Sequence, residues 1–499
     1  MNILLLRAGF DDRQAEITDL LLQGLKSEEK IQHVFSVDVL DRFVRPVART
    51  VLREMHGVLL DWMPRFWEYL YKNSTSVGGW TSLDRLRVAF DVKRFQAYTK
   101  KNQIDIIMTL HPLACLPASL SKREKALEIP VLALVPHFHL HPSWLQPGIS
   151  SYAFLSEKIE ESFHSYGLHK HKAFVSGAPL AQDFLELPSI QEVEERFGLS
   201  EDSKPRLLIL SKGMLFDEIE ELFLSFVRLY LRGFDGTLFF DVGDDQEMAE
   251  YVREAAERYR LPAKMFGAQP SLRDFFLIAD LVISRYETSR ALEAMACSTP
   301  LLFLEPDAGT DQKDVKALVD LGLASVCKER DSIVEGIEAS LKDEQLVREE
   351  ATSFEGFSSN GVENIVKQVL YLSENREEIL QRDQSLLRDE HRLLAEYYQK
   401  RGLEDGHPED PTKQLVVEET PQSPFEDIGL LGGESKKKGG SKVASERRST
   451  PRASRLSLDE ERQLKKRFRA MKVEDELQAL KQKLQLPKGK LSDLKDEEW

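Results

Sequence analysis

A chain of 499 residues is too long for a single compact core, because domains usually hold about 100–200 residues, so two or three folded units are expected. With 41% hydrophobic and 30% charged residues it can bury large cores, yet no apolar run reaches the roughly 18–20 residues that a membrane-spanning helix requires. The net charge of −16 argues against nucleic acid as a partner, and three widely spaced cysteines (Cys115, Cys297, Cys327) form neither a disulfide framework nor a CxxC metal pair.

The opening MNILLLRAGFDDRQ is apolar only from Ile3 to Leu6, too short for a secretory leader, so it reads as a buried strand of a cytoplasmic protein. Residues 42–72 keep apolar side chains at helical spacing, broken at Pro46 and Pro64. Their six Arg or Lys against three acids, with Trp62 and Trp67, suit either a core-packed helical hairpin or a helix lying in a membrane interface. Short apolar runs then alternate with helical patterns at Ile104–Met108, Val131–Val135 and Ala153–Leu155. After a hinge at 186–205 the series resumes with Leu207–Leu210, Thr237–Phe240, Leu281–Ser284 and Leu301–Leu304. That alternation signals βαβ units with parallel sheets, giving an N-terminal α/β domain at 1–185 and a second at 200–370 across a cleft. Ligands of such sheets bind beyond the carboxyl ends of the strands. Residues 371–402 read as polar-faced closing helices. The stretch 403–457, rich in Gly, Pro, Ser, Lys and Glu, reads as a disordered linker. In 458–486, Val473, Leu477, Leu480 and Leu484 are spaced as in an amphipathic, coiled-coil-like helix, which suits a protein partner, although two heptads are marginal alone and a solvated helix is the alternative. Charge is uneven as well. Residues 434–472 hold 14 Lys and Arg against 5 Asp and Glu, and the overall −16 less this +9 leaves −25 for the rest.

The most informative chemistry lies at ADLVISRYETSRALEAMA (279–296), where a strand runs into a polar turn and then a helix starting near Thr288 or Ser289. The N–H groups of such a helix start suit an anion such as a nucleotide diphosphate. Glu293, about one turn in, suits ribose hydroxyls, but it equally favours the helix dipole or pairs with Arg290. In PHFHLH, His137, His139 and His141 alternate, and His137 suits a general base because imidazole titrates near neutral pH. No Asp, Cys or distant His at ligand spacing accompanies them, so no metal is expected. His164, His169 and His171 read as surface residues.

These segments resemble the diacylglycerol glycosyltransferases typified by monogalactosyldiacylglycerol synthase, relatives of the peptidoglycan-precursor N-acetylglucosaminyltransferase. The resemblance rests on Glu293-Ala294-Met295, Pro300-Leu301-Leu302, Glu305-Pro306 and Gly309-Thr310-Asp311, and more specifically on His141-Pro142-Ser143-Trp144, Ser156-Glu157 and Gly177-Ala178-Pro179. It covers roughly residues 1–370. It implies a GT-B fold, two Rossmann-like domains facing a cleft, and transfer of a hexose from a UDP-sugar to a diacylglycerol-like lipid at the inner face of the cytoplasmic membrane. The UDP-sugar is then a co-substrate, and no cofactor is expected. It favours the interfacial reading of 42–72, with Trp62, Trp67 and Trp144 toward acceptor and membrane. It also implies an inverting, metal-independent reaction.

The departures from the family pattern are specific. Gly9-Phe10-Asp11-Asp12-Arg13 stands where the family has a Gly-rich loop with His, and its two Asp oppose a bound anion. SKGMLF keeps only Gly213 of several glycines, Arg285-Tyr286-Glu287-Thr288 replaces Pro-Gly-Gly-Thr, and His137 aligns with the family's Asp. One reading is therefore an active enzyme with His137 or His141 as base or orienting group. In it Arg285 and Ser289 meet the diphosphate, Glu293 the ribose and Asp311 or Gln312 the sugar hydroxyls, with Gly213, Thr288, Gly309 and Thr310 also donor-binding. The alternative is a catalytically degenerate GT-B scaffold that assembles partners through its C-terminal tail. A GT-B enzyme of other chemistry, such as nucleotide-sugar epimerisation, is a third.

Overall fold

The computed structural model describes residues 1–9, 15–46, 49, 90–199, 205–269, 271–306, 310–327, 332–342 and 359–404, and holds two parallel sheets of six strands. The first is built from β1 (Asn2–Arg7), α1 (Ala15–Ser27), β2 (His33–Asp38), α2 (Val39–Phe43), α3 (Val92–Lys101), β3 (Ile106–Thr109), α4 (Pro112–Arg123), β4 (Val131–Val135), β5 (Ser151–Phe154), α5 (Glu157–His164) and β6 (Ala173–Val175). β3, β4 and β5 are buried at every position, as strands covered on both faces by helices must be. The strand order is β2-β1-β3-β4-β5-β6, so the winding reverses between β1 and β3.

The hinge segment carries α6 (Ile190–Phe197), started by a capping box between Ser189 and Glu192 and ended at Gly198, whose φ of 61° lies in the left-handed region that glycine adopts without strain. The second sheet follows with β7 (Arg206–Leu210), α7 (Phe216–Leu231), β8 (Thr237–Gly243), α8 (Gln246–Tyr259), β9 (Ala263–Gly267), α9 (Arg273–Ile278), β10 (Leu281–Ser284), α10 (Thr288–Ala296), β11 (Leu301–Leu304), α11 (Thr310–Asp320), β12 (Ala324–Cys327) and α12 (Ile333–Lys342). Its order, β12-β11-β10-β7-β8-β9, reverses between β7 and β10. The two Rossmann-like sheets are the GT-B architecture expected from the sequence.

The chain then returns to the first sheet through α13 (Gly361–Glu374) and α14 (Arg376–Glu404). Ile365, Val369 and Leu372 of α13 share a core cluster with Ile3, Leu5 and Ile106, so residues 361–370, counted with the second domain from the sequence, pack on the first. Gly361 makes the crossing possible, because a Cβ there would stand 2.3 Å from the backbone of Ala178. α14 is held by buried charges. The Lys122 Nζ lies 2.8 Å from Asp383, Lys172 pairs with Asp383 and Glu390, and the Ser150 hydroxyl donates to Asp383 at 2.5 Å. The calls on Trp62, Trp67, Gly309, the 403–457 linker beyond residue 404 and the 458–486 helix fall outside the described residues. Among the described residues no helix is long and apolar enough to cross a membrane.

Candidate active site

Two strand exits of the two sheets meet at the buried carboxylate of Asp314. β4 ends at Val135, and the chain continues through Pro136 into His137 and His139; β10 ends at Ser284 and is followed by Arg285 and Tyr286. Asp314, on α11, is fully buried. It lies 2.8 Å from the His137 Nδ1, and accepts from the His139 backbone N–H at 2.8 Å and from the Tyr286 hydroxyl at 3.0 Å. A carboxylate only accepts, so the His137 Nδ1–H donates to it and the imidazole keeps its lone pair on Nε2. Burial, and then the charge of Asp314, pushes the Tyr286 phenol well above its ordinary range, which keeps it a neutral donor. Tyr286 also bonds Thr288 Oγ1 at 3.1 Å, tying the lock to the first residue of α10.

Other predicted residues are placed differently. His141 is buried and caps a short helical turn at 142–144, its Nδ1 bonded to the Ser143 hydroxyl at 2.7 Å and accepting the Ser143 N–H at 3.2 Å. Trp144 is only 1% exposed and lies 6.2 Å, centre to centre, from the His137 ring. It therefore supports the imidazole from the core, and its burial corrects the expectation of a ring facing lipid. Arg285, expected at a diphosphate, reaches both oxygens of Glu218 on α7, at 3.1 and 3.2 Å. Gly213, with φ 78° and open space beside its Cα, lies in the turn after β7. Asp311 is half-buried and Gln312 exposed on the first turn of α11, and of Thr310 only the backbone is described.

A second contact crosses the cleft. Glu16, at the start of α1, lies 2.7 Å from Arg290 and 3.5 Å from Lys212, and Lys212 lies 3.1 Å from Glu287. Ser289 Oγ donates to Glu287 at 3.3 Å. Arg290 also pairs with Glu293 at 2.5 Å, the i,i+3 pairing weighed from the sequence beside a ribose contact. Burial lifts Glu293 to about 7 despite the guanidinium. Sequence reasoning missed Asp314, Glu16, Lys212 and Glu218, because their partners lie on other elements. Among the described residues no group of three His, Cys, Asp or Glu is placed to hold a metal.

Residues 17–180 match the family model of monogalactosyldiacylglycerol (MGDG) synthase. The chain resembles the diacylglycerol glycosyltransferase family. A processive diacylglycerol beta-glucosyltransferase of Bacillus licheniformis is 23% identical over 322 residues, covering 62% of this chain and 82% of that one. One from Bacillus pumilus is 19% identical over 397 residues, covering 75% and 97%. Among solved structures, Acinetobacter baumannii MurG aligns with a TM-score of 0.47 at 13% identity over 74% of this chain and 99% of its own. A glycosyltransferase from Rickettsia africae aligns with a TM-score of 0.44 at 14% identity, over 75% and 98%.

Proposed function

We propose that this chain transfers a hexose from a nucleotide diphosphate sugar, with UDP as the expected carrier, to the hydroxyl of a diacylglycerol-type lipid presented at a membrane surface. The observation that carries the reading is the His137–Asp314 pair at the meeting of the strand exits of the two sheets, in a chain whose relatives are named for such transfers. In the reaction His137 Nε2 takes the proton of the acceptor hydroxyl as its oxygen bonds the anomeric carbon. The bond from that carbon to the diphosphate oxygen breaks, and the nucleoside diphosphate leaves with the electron pair. Asp314 keeps the imidazole in the productive tautomer and pairs with the imidazolium that forms. A single displacement inverts the anomeric centre, which suits the beta-glucosyl products in the relatives' names. The N–H groups of the first turn of α10 supply positive potential for the leaving diphosphate.

The test is transfer from UDP-glucose to diacylglycerol in vesicles. Wild type should make glycolipid and His137→Gln should lose at least about a hundredfold in rate, as removal of a general base does. Equal rates in both would sink the assignment of His137, and the absence of any UDP-hexose binding would sink the enzyme reading. The alternative, a silent scaffold, would show neither transfer nor donor binding.

A further inference from the structure

Lys212 follows β7 and Arg290 lies on α10 after β10, the two strands between which the second sheet reverses its winding. Glu16 opens α1 after β1, at the corresponding reversal of the first sheet. Ligands of open α/β sheets bind at such reversals, beyond the carboxyl ends of the strands. Here that place is taken by one oxygen of the protein itself: Glu16 Oε1 stands 2.7 Å from Arg290 and 3.5 Å from Lys212, as a phosphate oxygen bridging two cations would.

We propose that Lys212 and Arg290 form a diphosphate site, and that Glu16 is an internal anion which the ligand must displace on entering. This deepens the donor reading given above and rests on it for the nucleotide, though not for the diphosphate. It also assigns the phosphate cations differently from the sequence, since Arg285 is engaged by Glu218. The charge count explains why displacement is required. Lys212 and Arg290 face Glu16, Glu287 and Glu293, so a diphosphate added beside Glu16 meets an excess of negative charge, and with Glu16 withdrawn the remaining four charges balance. Exposure allows the exchange. The Glu16 and Lys212 side chains are 34% and 55% exposed, so that contact is of the weak, screened kind, whereas Arg290 and Glu293 stay fixed at 18% and 15%, and the 2.7 Å contact of Glu16 with Arg290 is the one a ligand oxygen must replace.

The test titrates UDP and inorganic pyrophosphate separately into wild type, Glu16→Gln and Lys212→Ala by calorimetry, with melting curves to confirm folding. The substitutions fall on the half-buried Glu16 and the exposed Lys212 and remove neither member of the Arg290–Glu293 pair. Glu16→Gln should bind both probes up to about fivefold more tightly than wild type, the effect of removing one competing ion pair, and Lys212→Ala should weaken both. Tighter binding of pyrophosphate without any preference for UDP would support the site while refuting the nucleotide reading. Equal affinity of wild type and Glu16→Gln would overturn the displacement and leave that reading standing. No binding of either probe to any variant would overturn both.

Discussion

Removing Asp314 tests the lock that organises the site. Its carboxylate is fully buried and receives the His137 Nδ1–H, the His139 N–H and the Tyr286 hydroxyl within 2.8, 2.8 and 3.0 Å. Asp314→Ala removes three charge-assisted hydrogen bonds, leaving the buried Tyr286 hydroxyl, 7% exposed, with its Thr288 partner and taking this acceptor from the His139 amide. Breaking a buried charged network costs about 3–5 kcal/mol in all, so a loss near 4 kcal/mol is expected. Asp314→Asn preserves volume and one acceptor, and should recover half or more of that stability. Its amide, however, can donate to His137 Nδ1, which moves the ring proton to Nε2 and removes the base. Transfer by Asp314→Asn should therefore fall by roughly 10²–10⁴ while its folding remains near wild type. Urea unfolding followed by circular dichroism gives the first quantity, and radiolabelled hexose transfer to diacylglycerol vesicles the second. An alanine variant within 1 kcal/mol of wild type would refute the network in solution, and an asparagine variant with undiminished transfer would refute the tautomer argument.

Glu293 gives a pH signature. Its folded pKa of about 7 exceeds the ordinary 4.5, so its contribution to stability is full below pH 4.5 and is lost as pH rises through 7, by up to about 3 kcal/mol; Glu293→Gln should flatten that fall in urea midpoints measured from pH 5 to 8. Asp383 has the opposite sign. Burial opposes its ionisation, but Lys122 and Lys172 hold its carboxyl down at about 2, so the stability it confers is present above pH 4 and lost as pH falls toward 2. Asp383→Ala leaves both buried lysines without that partner and should cost about 3–5 kcal/mol, seen as faster hydrogen exchange in α14 than in β8. Gly361→Ala drives a Cβ to 2.3 Å from the Ala178 backbone and should cost about 3 kcal/mol, whereas Gly213→Ala, at φ 78° with open space around it, should cost about 1 kcal/mol; equal melting points for the two variants would refute the crossing argument.

The sequence made the interior of each sheet legible and its margins obscure. The eight apolar runs read as strands all fall within or beside β1, β3, β4, β5, β7, β8, β10 and β11. The four other strands, β2, β6, β9 and β12, are the four sheet edges. An edge strand is solvated along one side, so HVFSVD in β2 and AKMFG in β9 carry no continuous apolar signal, and their pairing is decided by the neighbouring strand. The site divides in the same way. His137 and the Arg290–Glu293 pair were legible because residue type and an i,i+3 spacing are local facts. Asp314 and Glu16 were not, since they lie 177 residues beyond His137 and 274 before Arg290. Arg285 looked like a phosphate ligand only because Glu218, 67 residues away, was not yet beside it.

The two contacts across the cleft differ in burial, and that difference fixes how the cleft opens. On one side the second domain's Asp314, fully buried, holds the first domain's His137 and His139; on the other the first domain's Glu16, 34% exposed, holds the second domain's Lys212 and Arg290. A buried carboxylate with three donors resists separation by several kcal/mol, whereas the Glu16–Lys212 pair, 34% and 55% exposed, resists by about 0–1 kcal/mol and is screened within about 3 Å in 1 M salt. Separation is therefore expected at Glu16 before Asp314, which would uncover the cations while the base stays assembled. Raising NaCl from 0.05 to 1 M should speed hydrogen exchange in the first turn of α1 and leave the Tyr286–Thr288 amides unchanged. Salt sensitivity at Tyr286–Thr288, or none at α1, would reverse the order of opening.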